Sequence, residues 1–168
     1  MLQCGKIRMA VVAVAMTLSS VVGGAVWIVD EPAELWDTCN LPLVDGDEIW
    51  IDADALVVAG ETIDIDGVIY PHINLPPGTS PCVISQDITI SVNPPGDGLV
   101  ITSGDGIDTS VFVLTGSTNA PVHATFENLY FTQFMFERPI EITTGAINLI
   151  ECKFQECIAG GVSIETLK

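Results

Sequence analysis

Nine aspartates, Asp45, Asp47, Asp52, Asp54, Asp64, Asp66, Asp97, Asp105 and Asp108, gather in turn-rich stretches of the chain. Convergent oxygens of this kind are what Ca²⁺ takes as ligands. Asp64-Ile65-Asp66-Gly67 looks like the middle of a calcium loop, so Asp64 and Asp66 are the candidate metal ligands and Ca²⁺ the candidate cofactor. The acidic residue that closes an EF-hand loop is missing downstream. Alternation through Ile63-Asp64-Ile65-Asp66 also places both carboxylates on one outward face. The plainer reading is a solvated acidic surface that keeps a β-rich chain soluble, or suits it to a salty habitat.

Other chemistry-bearing residues are few. Past the first eight residues the only cations are Arg138, Lys153 and Lys168. A polysaccharide lyase needs a base, and a cation or metal beside the carboxylate of its substrate; Lys153 reads instead as an ordinary outward charge. A glycosidase needs two opposed carboxylates, but 22 acids always offer pairs and nothing singles one out. His72 and His123 have no Ser or Cys partner at a triad-like spacing. Cys152 and Cys157 lack both a neighbouring His and a second cysteine pair, which argues against zinc. No catalytic constellation emerges, and the chain leans away from being an enzyme. Trp50 and Tyr130 are the remaining candidates, because alternation turns them away from Ile49 and Ile51 and from Leu129 and Phe131. Exposed aromatics there would stack on a sugar ring or take a protein partner. The alternative is that the long 66–81 segment or an N-terminal helix covers them.

The start of the chain reads as an address. Lys6 and Arg8 precede an apolar run, Met9–Val22, and Gly23-Gly24-Ala25 supplies small residues. These are the parts of a secretory leader, with a cut expected after Ala25. The rival is an uncleaved anchor, since 9–29 carries no charge and is just long enough to span a bilayer. Cys4 lies before the apolar run, the wrong place for a lipid-modified cysteine. Either way the remainder is exported, secreted or at the cell surface, where disulfides are permitted. Cys39, Cys82, Cys152 and Cys157 then remain, an even number allowing three pairings. Cys39–Cys82 is the attractive staple, tying the N-terminal segment to the first coils, while Cys152 reads as a core residue.

Charge narrows the partners. Five Lys and Arg stand against 22 Asp and Glu, a formal −17, and no cation occurs between Arg8 and Arg138. That excludes a nucleic-acid binder working through a basic groove. It also argues against docking on anionic lipid. The mature domain is expected to touch no membrane unless the leader stays as an anchor. A hydrophobic content of 48% is enough to build a core.

The elements that must position these residues are strands. Short β-branched and aromatic runs recur at Glu48–Ile51, Thr62–Ile65, Val83–Ser85, Ile88–Val92, Leu99–Thr102, Val111–Leu114, Phe126–Phe131, Ile140–Thr143, Ile147–Ile150 and Val162–Ile164. Turn chemistry separates them, as at Pro76-Pro77-Gly78 and Ser103-Gly104-Asp105-Gly106. One helix is expected, Glu31–Asp37, with Asp30 as its cap; past residue 40 no helical period is seen. The runs also repeat. Phe126–Phe134 overlays Leu149–Cys157 at an offset of 23, Ile140–Thr144 overlays Val162–Thr166 at 22, and Val111–Gly116 overlays Ile140–Gly145 at 29. A period in the low twenties built of short strands indicates a solenoid, each coil burying its inward residues on the next. Alternation then turns Ile49, Ile51, Ile63, Ile65, Ile90, Val111, Val113, Phe126, Phe131, Ile140, Leu149, Cys152 and Phe154 inward, with Phe131 stacked on Phe154.

The pattern resembles secreted right-handed parallel β-helix proteins of the pectin-lyase-like superfamily. Within it, the closest likeness is to bacterial polymorphic outer-membrane-protein and adhesin-type repeats. Gly46-Asp47-Glu48-Ile49-Trp50-Ile51 resembles the first strand of such domains, Ile88-Thr89-Ile90 the second, and Val111-Phe112-Val113 the strand after an Asp-Gly turn. The stretch from Glu151 to Gly161 resembles their Asn-Cys-Thr-Phe coil, with Glu151 and Cys157 in place of the usual Asn. The resemblance implies an all-β right-handed parallel β-helix; with the leader at 1–25 and a capping segment at 26–44, the β-helix is expected from 45 to 168, as the N-terminal part of a longer protein because the chain stops a few residues into a new coil. It implies a surface or extracellular scaffold that binds carbohydrate or surface proteins. The alternatives are a polysaccharide lyase or hydrolase with its active site on later coils, and a calcium-stabilised structural solenoid.

Overall fold

The structure, a computed structural model of the chain, describes residues 24–75, 80–94, 98–103, 110–117, 119–134, 138–157 and 162–164. The expected leader up to residue 23, the turn aspartates Asp97, Asp105 and Asp108, and Lys168 lie outside them.

The chain is mostly β-structure, and its elements follow the alternation of its residues. In order they are β1 (Val26–Val29), α1 (Pro32–Cys39), β2 (Glu48–Asp52), α2 (Ala53–Ala59), β3 (Thr62–Ile65), β4 (Val68–Leu75), β5 (Cys82–Ile84), β6 (Ile88–Asn93), β7 (Leu99–Ser103), β8 (Phe112–Thr115), β9 (Val122–Glu127), β10 (Leu129–Thr132), β11 (Ile140–Ile150), β12 (Lys153–Gln155) and β13 (Val162–Ile164). The run expected as one strand at Phe126–Phe131 is cut by Asn128, which adopts φ 58 and separates β9 from β10. Conversely, the two runs expected at 140–143 and 147–150 form one strand of 11 residues.

Two curled sheets result, one ordered β1-β2-β6-β9-β11-β8-β5 with β13 on β11, the other ordered β12-β10-β7-β4-β3. Every named strand pair is parallel except β3 with β4. β11 belongs to two ladders: Ile140–Thr144 lies beside β8, and Gly145–Ile150 lies beside β9. Gly145 makes that double pairing possible, because a Cβ there would stand 2.3 Å from the Val122 carbonyl oxygen.

Apolar residues fall in register across the ladders. Ile49 pairs Ile90 and Ile90 pairs Phe126; Ile73 pairs Ile101, Ile101 pairs Phe131, and Phe131 pairs Phe154. The Phe131 and Phe154 rings are stacked, centroids 5.1 Å apart and 13° from parallel. Each fully buried Ile or Phe of this core contributes about 1.5–3 kcal/mol relative to exposure. The expected register of Val111 on Ile140 is corrected by one residue: Phe112 pairs Ile140, and Cys82 pairs Phe112. Since the side-chain period is two, that slip turns Phe112 and Leu114 into the core and leaves Val113 half-buried. Leu149, expected inward, is 37% exposed on the last tier of described strands. Ile63 and Ile65 are only half-buried, because β3 and β4 form an antiparallel hairpin at the sheet edge.

Two helices pack against the strands, α1 on β1 and β5 and α2 on β4 and β6. α1 buries Leu35 and Cys39, and runs two residues beyond the expected Asp37. Its N-cap is Glu31 rather than Asp30; the Asp30 N–H instead donates to the Glu34 carboxylate at 3.1 Å. α2 corrects the expectation of no helix past residue 40. Asp52 caps it by accepting from the Ala55 N–H, Gly60 ends it, and Leu56 is buried. No helix among the described residues is long and apolar enough to cross a membrane.

Candidate binding grooves on either side of Asn128

Strands β4, β7, β10 and β12 turn Ile73, Ile101, Phe131 and Phe154 into the core, so their alternate residues form the opposite face. Register sets His72, Val100, Tyr130 and Lys153 in one row, and Asn74, Thr102, Thr132 and Gln155 in the next. These polar groups are joined. The Thr102 hydroxyl donates to the Asn74 side-chain oxygen at 3.2 Å and lies 2.8 Å from His72 Nε2. With its one proton given to Asn74, Thr102 accepts from the His72 N–H. The hydroxyl is thereby held, not activated as a nucleophile. Burial lowers the His72 pKa and keeps the ring neutral, against the opposing pull of Glu61.

Tyr130 is only 5% exposed: of the two sequence expectations, a solvent-facing ring or one covered by the 66–81 segment, the structure has the second. Tyr70 meets it edge-on with centroids 6.1 Å apart, the Lys153 ammonium sits 5.8 Å from its centroid, and its hydroxyl donates to Gln155. Desolvation raises the phenol pKa. Lys153 does lie on the outward face, as alternation requires, with its charge directed over that ring. Tyr70, Asn128, Tyr130, Glu151 and Lys153, with Gly98, Leu129 and Cys152, line a cavity of about 400 Å³.

Trp50, on β2, is half-buried and donates from Nε1 to the Glu48 carboxylate at 2.7 Å. It lines a second groove of about 370 Å³ with Glu48, Thr89, Ser91, Asn93, Glu127 and Asn128. Asn128 therefore stands between the two grooves, and both candidate aromatics border it. Its left-handed turn is repeated at the same level of neighbouring strands by Gly98 (φ 95) and Glu151 (φ 54). Asn and Gly tolerate this conformation well; Glu151 does so less readily.

Asp64 and Asp66 are drawn into turn-making. Asp64 accepts from the Gly67 N–H at 2.8 Å, and Asp66 and Gly67 adopt φ 54 and φ 84 between β3 and β4. This is the Asp-Gly hairpin turn, whose twist suits antiparallel strands. Among the described residues no group of three or more His, Cys, Asp or Glu is placed to hold a metal ion. Cys39 and Cys82 form a disulfide with Cα atoms 5.4 Å apart, fastening α1 to β5. Cys152 and Cys157 are free and half-buried; the Cys152 thiol donates to the Phe126 carbonyl at 3.3 Å, and burial pushes both thiols up in pKa. His123 contributes its backbone N–H to Asp87 at 2.6 Å.

Tyr70, His72 and Asn74 are site residues on a strand, Val68–Leu75, that the sequence runs do not include. Their alternation along Val68–Leu75 was the available signal, obscured by Pro71, which reads as a strand breaker. It is tolerated because its partner Thr62 lies on the edge strand β3. The chain matches no known protein family, no characterised protein and no solved structure.

Proposed function

We propose that this chain is an exported, non-catalytic scaffold, a right-handed parallel β-helix that binds neutral glycans, or protein partners, in the grooves beside Asn128. Strand order supports the architecture. β2, β6, β9 and β11 follow one another in one ladder, β4, β7, β10 and β12 in a second, and β5, β8, β11 and β13 in a third. Visits to three ladders in turn, each one level further along, are the path a solenoid takes, and this supports the reading. The resemblance to pectin-lyase-like and adhesin-type repeats agrees with that path. The disulfide supports export to a secreted or cell-surface location.

The observation that carries the binding reading is the pair of grooves, which combine Trp50 and Tyr70 with carboxylates, amides and a lysine. Aromatic surface beside hydrogen-bonding groups suits a sugar ring. The net charge of −17 repels acidic polymers and so favours neutral ones. The test is an array of neutral and acidic glycans probed with the secreted chain, with Trp50→Ala and Lys153→Ala variants alongside. Binding of neutral glycans, weakened at least about tenfold by Trp50→Ala, is expected; an aromatic anchor of about 1.4 kcal/mol or more sets that factor. Binding that ignores both substitutions, or no binding to any glycan or surface protein, overturns it.

A further inference from the structure

Asp47 is a buried carboxylate, 2% exposed, that holds the start of the described chain. Its Oδ1 accepts from the Ala25 N–H at 2.7 Å, and its Oδ2 from the Val44 N–H at 3.0 Å and the Trp27 Nε1–H at 3.2 Å. All three donors are neutral groups, whereas a buried carboxylate gains most from a cationic one. Ala25 is bonded from both sides, because its carbonyl accepts from the Glu48 N–H at 2.8 Å. A cut after Ala25, the position that the small-residue pattern favours, would delete both bonds. One residue earlier, Gly24 lies so close to Gly46 that a Cβ would stand 1.8 Å from the Gly46 carbonyl oxygen. That contact belongs to the uncut chain; for the cut itself what matters is that Gly24 is small, as a leader-removing protease requires of the residue before its cut.

We propose that maturation hydrolyses the peptide bond between Gly24 and Ala25, and that the α-ammonium formed on Ala25 is received by the Asp47 carboxylate. This rests on the export reading above. The step is hydrolysis by a leader-removing protease: water adds its oxygen to the Gly24 carbonyl carbon, the C–N bond breaks to leave a Gly24 carboxylate, and both protons of the water go to the Ala25 nitrogen. That nitrogen already stands at charge-assisted bonding distance from Oδ1, so the product exchanges a neutral donor for an ion pair without moving the chain.

The test is expression of the full chain in a secreting host, followed by N-terminal sequencing and intact mass of the protein outside the cell. A first residue of Ala25 is expected. A start at Gly24, Val26 or any other residue overturns the proposal while leaving export standing. Full-length chain retained at the membrane also overturns it, in favour of an anchor; full-length chain held in the cytoplasm overturns the export reading itself. On the secreted protein, the pH dependence of α-amine labelling gives a second readout. The midpoint is expected at least one pH unit above the ordinary value of about 8, and back near it in Asp47→Asn. An ordinary midpoint in the unsubstituted protein overturns the contact with Asp47, even where the variant does not fold.

Discussion

Polar residues on the outer face of β10 and its neighbours hold one another in place. Tyr130 is the clearest case: Tyr70, Lys153 and Gln155 all engage it, so the ring is covered by partners on its own face. His72 carries a pH dependence of known sign. Burial lowers its pKa in the folded chain below the ordinary 6.5. As pH falls through about 6.5, the unfolded chain takes up a proton that the folded chain accepts only at lower pH. Stability contributed by neutral His72 is therefore present above that window and lost below it. Thermal unfolding between pH 7.5 and 5.5 should show a falling Tm, and His72→Gln should flatten the fall. An unchanged slope in the variant would assign the dependence to other groups.

At the level of elements, capping decides α2. Its seven residues are too few to be stable alone, so the Asp52 cap and the burial of Leu56 against β4 and β6 must hold it. Asp52→Ala is expected to cost about 0.5–2 kcal/mol, read as a lower denaturation midpoint with an unchanged slope. The helix was legible in principle, since Asp52 and Gly60 bracket Ala53–Ala59, but the Val57-Val58 pair reads equally well as strand. β4 was hidden in the same way by Pro71. The repeat at 22 and 23 residues was legible because Phe131 on Phe154 and Ile140 on Val162 are neighbours in both sequence pattern and space. Val111–Gly116 slipped by one because two adjacent apolar residues, Val111 and Phe112, are both buried and alternation cannot choose between them.

For the molecule as a whole, two terms stand out. The Cys39–Cys82 bridge spans 43 residues, and closing a loop of that length restricts the unfolded chain by an amount worth about 4 kcal/mol. Reduction should lower Tm by many degrees, and a Cys39→Ser, Cys82→Ser double variant should be insensitive to reductant. The second term is self-repulsion. At −17 the folded chain is destabilised by its own charge, and salt screens that repulsion. Added NaCl is expected to raise Tm, and a matched ionic strength of CaCl₂ to raise it no further. A larger rise with Ca²⁺ would point to ligation by carboxylates, Asp64 and Asp66 of the hairpin turn among the candidates.

The sequence by itself determined the strand-rich class, the apolar rows of the last two repeats, and the cysteine pair free to form a staple. These follow from alternation and from local turn chemistry, which act between residues a few positions apart. Tertiary structure alone decided the register of Phe112 on Ile140, the sharing of β11 between two ladders, and the cover over Tyr130. It alone also set Asp64 and Asp66 in a hairpin turn and placed Asp47 under Ala25. Those outcomes depend on which strand lies beside which, and that choice is made by packing among residues about 20 to 40 positions apart, where no short-range pattern reaches.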